Sequence, residues 1–516
     1  MFITQTLRRA VQINAKGTAT IFGERRQTWK HFQERVARLA GALKELEVRR
    51  ADRVAILSLN SDRYLEYIYG VAWAGAACNP VNIRLAPPEI AYTLEDSGSV
   101  VLFIDDAFSR ILSALRPLLT AVRHVIFIGD GPCPEGCLEY ERLLVQSAPV
   151  PDANAGGDDL AGLFYTGGTT GKSKGVMLSH DNIVYNALNV LPALGYDDRS
   201  VYLHAAPMFH LADMASTFAV TMGAGTHVAV PRFDVDAVLE TIARHRVTHS
   251  ILVPTMINLL VNSGRIADYD LSSFRRLMYG ASPMPEAVLK KAMVLLPGIE
   301  LAQGYGQTEA APVITFLEPR FHVEGGTKLT SAGRPAYGVE VIIVDGQDRE
   351  LPRGQVGEIC ARGMNVMQGY WELKEQTAQT LRNGWLHTGD IGYMDEDGFV
   401  FIVDRAKDMI ISGGENVFSV EVEGAIYELP GVQECAVIGV PSEQWGEAVH
   451  AVVVPKPGVS LTAEQVIEHC RQRIAGYKLP RSVSFRGEPL PVSGAGKILK
   501  IELRKPYWEG RGRQVS

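Results

Sequence analysis

Arg53-Val-Ala-Ile-Leu-Ser-Leu59 reads as a buried strand, and residues 64–76 behind it carry a helical pattern. Further strands follow over 100–104 and 124–128, separated by a helical pattern over 108–122. This β-α-β alternation belongs to a parallel sheet whose faces are covered by helices. It resumes with a helix over 235–244 and strands over 247–253 and 277–279. Near residue 404 the character changes. Residues 339–344 and 357–362 look like strands of a smaller antiparallel piece, and strands over 436–440 and 449–454 with a helix over 463–475 form a last unit. A charged segment, Asp404-Arg-Ala-Lys-Asp408, separates two apolar runs and reads as a linker. Single cores stop growing at roughly 250–300 residues, so a chain of 516 residues requires at least two. The expected fold class is α/β. A large N-terminal domain, 1–404, has helix-covered, mainly parallel sheets plus a small antiparallel β piece, and a small α+β C-terminal domain covers 405–516.

Hydrophobic residues make up 46% and charged residues 21% of the chain, a globular composition. The net charge of −7 gives no sequence-wide basic footprint for nucleic acid or an anionic membrane. The six cysteines are scattered, and Cys133 and Cys137 have no second pair to complete a zinc site, so free thiols are expected. The N-terminal sequence MFITQTLRRAVQINAK lacks an apolar signal core, and uncharged stretches such as 214–231 are broken by Thr, Gly and His. The expected location is the cytoplasm, without integral membrane association.

The strongest chemical signal is Tyr165-Thr-Gly-Gly-Thr-Thr-Gly-Lys-Ser-Lys-Gly175. Gly167, Gly168 and Gly171 let backbone amides converge on an anion. Thr166, Thr169 and Thr170 add hydroxyl donors, and Lys172 and Lys174 add charge, which is what a polyphosphate needs. Gly171-Lys172-Ser173 fits the end of a Walker A loop, but that motif's first glycine falls on Thr166. A Walker loop also opens directly into a helix, whereas apolar Val176-Met-Leu178 follows here and a helix is expected only after Ser179.

The loop resembles the phosphate loop of the adenylate-forming enzymes: acyl-CoA synthetases, firefly luciferase-like enzymes and nonribosomal peptide adenylation domains. The family form has Pro where this chain has Ser173. Further family blocks follow in order: Gln303-Gly-Tyr-Gly-Gln-Thr-Glu309, Thr388-Gly-Asp390, Asp404–Asp408, Ser412-Gly-Gly-Glu-Asn416 and Pro491-Val-Ser-Gly-Ala-Gly-Lys497. Each has a physical job. In the stretch Gln303, Gly304, Tyr305, the tyrosine offers a flat face to adenine. Thr308 offers a hydroxyl to the α-phosphate, and Glu309, with Thr166, offers hard oxygens to Mg²⁺. Asp390 can accept from both ribose hydroxyls. The resemblance further implies that Gly280-Ala281-Ser282 passes along the adenine and that Arg405 reaches the ribose. It makes Lys407 the hinge of a mobile C-terminal domain, sets Gly413 and Gly414 along the passage for the pantetheine arm of CoA, and puts Asn416 in a nucleotide-contacting stretch. Lys497 becomes a mobile catalytic lysine, present only while negative charge develops between carboxylate and α-phosphate.

His210, in Pro207-Met-Phe-His, is implied as a gate at the carboxylate end of the acyl pocket. Peptide-synthetase adenylation domains usually carry Phe-Asp there, so an amino-acid substrate is disfavoured, although Asp213 lies three residues on. The expected reaction is that of an AMP-forming acid–thiol ligase: a carboxylic acid, ATP with Mg²⁺, and coenzyme A give acyl-CoA, AMP and pyrophosphate through an acyl-adenylate. Pocket candidates are Met208, Phe209, Met214, Tyr279, Ala302, Gly304, Pro312 and Val313, mostly apolar, which disfavours a second carboxylate on the acid. A medium- or long-chain fatty acid ranks first and an aryl acid of benzoate or cinnamate type close behind. A ligase loading a carrier protein is the nearest rival. A phosphate-loop NTPase would need a helix after Lys172 and would not release AMP. A homodimer stays open.

Overall fold

The computed structural model describes all residues except 167–172, 324, 406, 407, 413, 414, 495 and 510–516. Among the described residues the chain forms four sheets. In the largest, five strands run parallel side by side: Thr226–Ala229, Val201–His204, His249–Leu252, Arg276–Gly280 and Glu300–Gly306. Antiparallel Val313–Leu317 and Arg334–Pro335 extend one side of that group, and Thr18–Phe22 and Arg25–Thr28 the other. In the second large sheet, Arg53–Leu57 lies between Ala77–Pro80 and Ser99–Ile104, all parallel. These strands are buried runs rather than alternating ones, as expected where helices cover both faces. Helix His180–Leu194 touches strands of both large sheets, and one apolar core runs through them.

The small antiparallel sheet holds Val339–Val344, Gly357–Gly363, Leu386–Met394 and Val400–Arg405. The fourth sheet, built within residues 410–485, has its own core around Ile410, Val437, Val449 and Val453. No helix among the described residues is long and apolar enough to cross a membrane.

The structure departs from the sequence reading at two helices. Residues 108–122 do not form one helix. They break into the short turns Ser109–Ile111, Leu112–Leu115 and Arg116–Leu118, because Pro117 lacks an N–H and its ring crowds the carbonyl four residues earlier. The helix expected over 463–475 spans Ala463–Arg471, started by Thr462, whose hydroxyl accepts from the Gln465 N–H in a capping box. The charged linker is also not wholly solvated. Asp404 is buried and accepts from the backbone N–H and hydroxyl of Ser419, at the start of helix Ser419–Tyr427. All six cysteines are free, four of them buried.

Candidate active site

Strand Leu160–Thr166 and strand Lys174–Ser179 pair antiparallel, with Thr166 opposite Lys174, and so form the stem of the glycine-rich loop. The helix after it starts only at His180, capped by the Ser179 hydroxyl in a capping box with Asn182. A Walker geometry is thereby excluded. Gly167, Gly168, Thr169, Thr170 and Gly171 lie outside the described residues, as do Lys407, Gly413 and Gly414.

The stem faces a cavity of about 1920 Å³ that also reaches the C-terminal segment. Thr166, Lys174, His210, Gly280, Ala281, Ser282, Gln303, Gly304, Tyr305, Thr308, Glu309, Asp390 and Lys497 all line it. The strands explain the convergence. Gly280 and Gly304 are register partners at the ends of adjacent parallel strands, where open α/β sheets present ligand crevices. A side chain at Gly280 would run into the Gly304 carbonyl oxygen, so only glycine leaves the slot open. Ala281, next to it, holds a left-handed φ of 67°, a conformation that non-glycine residues adopt at a cost and often at functional turns.

Tyr305 donates its hydroxyl to Asp390 at 2.8 Å. Asp390 is buried, and strand pairing sets Arg405 opposite it. Glu309 accepts from the Tyr370 hydroxyl at 2.8 Å, and the Lys174 ammonium lies 4.4 Å from the centre of the Tyr370 ring. Burial first, then the Glu309 charge, raises the Tyr370 phenol, which therefore stays protonated as a donor. Thr166 and Glu309 both line this cavity and offer a hydroxyl and a carboxylate oxygen, the hard donor type that Mg²⁺ prefers.

The Lys497 loop is docked on the N-terminal part of the chain. Arg84 donates to the Ser493 carbonyl at 2.7 Å, and the Thr255 hydroxyl to the Gly496 carbonyl at 3.5 Å. Within the loop, the Lys497 N–H donates to the Ser493 hydroxyl. His210 caps helix Leu211–Gly223, its Nδ1 accepting from the Ala212 N–H. Burial, and secondarily the Lys497 charge, push it down to about 3, so its imidazole is neutral.

Several expectations are corrected. Met208, Met214 and Ala302 are core residues and do not line the cavity, whereas Phe209, Tyr279, Gly304, Pro312 and Val313 do. The helical period turns Ala212, Ala215 and Ser216 toward the cavity in place of Met214. Asp213 is fully buried and accepts from the Tyr202 hydroxyl at 3.0 Å, while His204 Nδ1 lies 2.6 Å away, so it cannot hold a substrate amine. Asn416 is exposed on the short strand Glu415–Val417, away from the cavity in this arrangement. Sequence reasoning missed Tyr370 and Arg84. Tyr370 follows Gly369 on a two-residue strand that pairs with Met177 and Val176, a contact without a local sequence signal.

The AMP-binding enzyme model matches residues 7–371, and the AMP-binding enzyme C-terminal domain model matches 421–497. A feruloyl-CoA synthase of Amycolatopsis sp is 40% identical over 97% of this chain and 98% of its own. The long-chain-fatty-acid–CoA ligase FadD13 of Mycobacterium tuberculosis is 36% identical over 93% of each. Among solved structures, the anthranilate CoA ligase AuaEII in complex with anthranoyl-AMP superposes with a TM-score of 0.92 at 28% identity, covering 99% of this chain and 98% of that one.

Proposed function

The chain belongs to the AMP-binding enzyme family, in the CoA-ligase branch of the adenylate-forming enzymes, and from that premise we propose that its acid is aromatic. It is an AMP-forming ligase that uses ATP, Mg²⁺ and coenzyme A. The observation that carries the reading is the convergence of Lys497, Tyr305–Asp390 and Glu309 on one cavity beside an apolar lobe.

In the proposed cycle, a carboxylate oxygen attacks the α-phosphorus of ATP, pyrophosphate leaves, and an acyl-adenylate remains. Lys497 sets a fixed cation where charge builds up between the reacting groups. Asp390 and Arg405 hold the ribose, and Tyr305 and Gly280-Ala281-Ser282 the adenine. Thr166 and Glu309 would hold Mg²⁺, which neutralises phosphate charge when bound. Neutral His210 borders the carboxylate end of the lobe without adding a competing charge. We further propose that residues 405–516 turn about Lys407, withdrawing Lys497 and bringing Gly413-Gly414 and Asn416 toward the site. The CoA sulfur then attacks the acyl carbon and AMP leaves. Exposure of Asn416 in the arrangement with Lys497 docked agrees with that alternation.

For the acid, sequence alone ranks a fatty chain first, and the relatives favour the reverse. The feruloyl-CoA synthase is 40% identical and the fatty-acid ligase 36%, and an anthranilate ligase superposes over almost the whole chain. Ala215, Ser216, Ile251, Met278, Gly304 and Val313 all line the cavity, and the polar one among these side chains, Ser216, is paired with the buried Tyr196 hydroxyl at 3.1 Å. An oxygen-bearing ring can use it, and a methylene chain cannot. The test is a panel of benzoates, cinnamates, arylacetates and saturated acids of graded length. It is read by pyrophosphate release and CoA consumption, with a holo-carrier protein as alternative acceptor. Highest kcat/KM on an aryl acid with CoA supports the reading, and highest kcat/KM on a saturated chain overturns it.

A further inference from the structure

Next to Thr388-Gly389-Asp390 of strand Leu386–Met394, the small antiparallel sheet gathers a mixed set of donor atoms that the ligase chemistry does not use. Glu358 and Cys360 stand two residues apart on strand Gly357–Gly363, on either side of a register shift against strand Leu386–Met394. Cys360 is the register partner of His387 on the neighbouring strand. His387 Nδ1 lies 2.9 Å from Glu358 Oε2 and 3.3 Å from Cys360 Sγ, and the ligand atoms of all three residues fall within 4.8 Å of one another. Asp348 Oδ1 is 4.0 Å from the same nitrogen. Arg382 forks onto both Asp348 oxygens at 2.8 Å and reaches Glu358 Oε2 at 3.4 Å, and Asn383 Nδ2 donates to Asp348 at 3.0 Å.

We propose that Glu358, Cys360 and His387 form a site for a borderline-soft divalent cation of the Zn²⁺ class, separate from the Mg²⁺ that accompanies ATP. The donor chemistry selects the ion: sulfur and imidazole nitrogen suit Zn²⁺, and Mg²⁺ prefers oxygen alone. Spacing agrees as well. With Zn–S near 2.3 Å and Zn–N near 2.0 Å, tetrahedral ligand atoms sit roughly 3.3–3.6 Å apart, a few tenths of an ångström beyond the two separations from His387 Nδ1, while all three ligand atoms lie within 4.8 Å. On binding, the Cys360 thiol proton passes to solvent, and the proton that His387 Nδ1 donates to Glu358 moves by way of solvent to Nε2, which frees Nδ1 for the ion. The fourth ligand is water or Asp348, the latter after yielding one of its Arg382 bonds. Two carboxylates and a thiolate against one guanidinium leave a charge that a dication balances. Glu358 Oε1 meanwhile keeps the Gly389 N–H at 3.0 Å, so the cation would sit one residue contact from the turn that carries Asp390.

The test uses full-length enzyme stripped with chelator and titrated with Co²⁺, then Zn²⁺, in excess Mg²⁺. One equivalent of Co²⁺ should give a thiolate-to-cobalt charge-transfer band with tetrahedral visible bands, displaced by one equivalent of Zn²⁺. Cys360→Ser should remove the charge-transfer band and weaken Zn²⁺ binding at least about tenfold, as loss of a metal-site partner does. Glu358→Gln should weaken binding but keep the band at saturation, which tests the site even if the cysteine variant folds badly. The double variant Cys133→Ser/Cys137→Ser should behave as wild type. Absence of a band, its survival in Cys360→Ser, its persistence at unchanged affinity in Glu358→Gln, or its loss in the double variant overturns the proposal.

Discussion

Tyr305 and Asp390 are joined by a 2.8 Å hydrogen bond that ties the nine-stranded sheet to the small antiparallel sheet inside the cavity. The tyrosine ring and the carboxylate are thus one unit: the face proposed for adenine also fixes the group proposed for the ribose.

Tyr305→Phe keeps the ring and removes the bond. A hydrogen bond to a charged group is worth about 1.5–3 kcal/mol, and losing part of that orientation should raise KM for ATP roughly tenfold with a smaller change in kcat. Steady-state kinetics with varied ATP at saturating acid checks this. An unchanged KM would separate Asp390 from ribose binding.

Glu309→Gln keeps the shape and an oxygen that Tyr370 can still donate to. Folding should survive, since the bond partner persists, while adenylation demands more Mg²⁺ and slows. Pyrophosphate release measured across Mg²⁺ concentrations decides it, and an unaltered Mg²⁺ dependence removes Glu309 from the metal.

Gly280→Ala puts a methyl against the Gly304 carbonyl between two parallel strands. Overpacking of this kind costs about 1–3 kcal/mol. The variant should melt several degrees lower and bind ATP weakly. A wild-type melting curve with wild-type ATP affinity would mean that the strands yield and that the slot is not shaped by this contact.

These positions also show what sequence conveys. The β-α-β alternation was readable because buried parallel strands are apolar runs, and the nucleotide blocks because each is a short contiguous stretch. The acyl end of the cavity was not, since helix Leu211–Gly223 is buried nearly all round: nothing local tells Met214, in the core, from Ala215, at the cavity. Tyr370 and Arg84 were hidden for another reason. Their roles arise from strand pairing and domain contact across 61 residues to Glu309 and 409 residues to Ser493. Asp404 read as part of a charged linker because its partner, the start of the helix at Ser419, lies 15 residues on.

Stability should fall on mild acidification. Burial pushes His180, His249, His322 and His450 down to about 4, and His210 to about 3. These groups are neutral in the folded protein, whereas in the unfolded chain they bind protons near pH 6.5. Stability is therefore fully present above about 6.5 and is lost as pH falls toward the folded values. Each histidine contributes up to about 1.4 kcal/mol per pH unit. Thermal melts should show Tm changing little between pH 7 and 8 and dropping steeply between 6.5 and 4.5. A Tm independent of pH down to 5 contradicts this.

Lys497, on the loop that Arg84 and Thr255 hold through the Ser493 and Gly496 carbonyls, is proposed to serve adenylation and not thioester formation. Single-turnover rates of both half-reactions in Lys497→Ala test it most directly: acid plus ATP to acyl-adenylate, and supplied acyl-adenylate plus CoA to thioester. Loss of a preorganised charge in a transition state costs about 10²–10³ in rate, so the first rate should fall by at least that factor and the second should change far less. Equal loss in both, in a variant with a wild-type melting curve, would contradict the account.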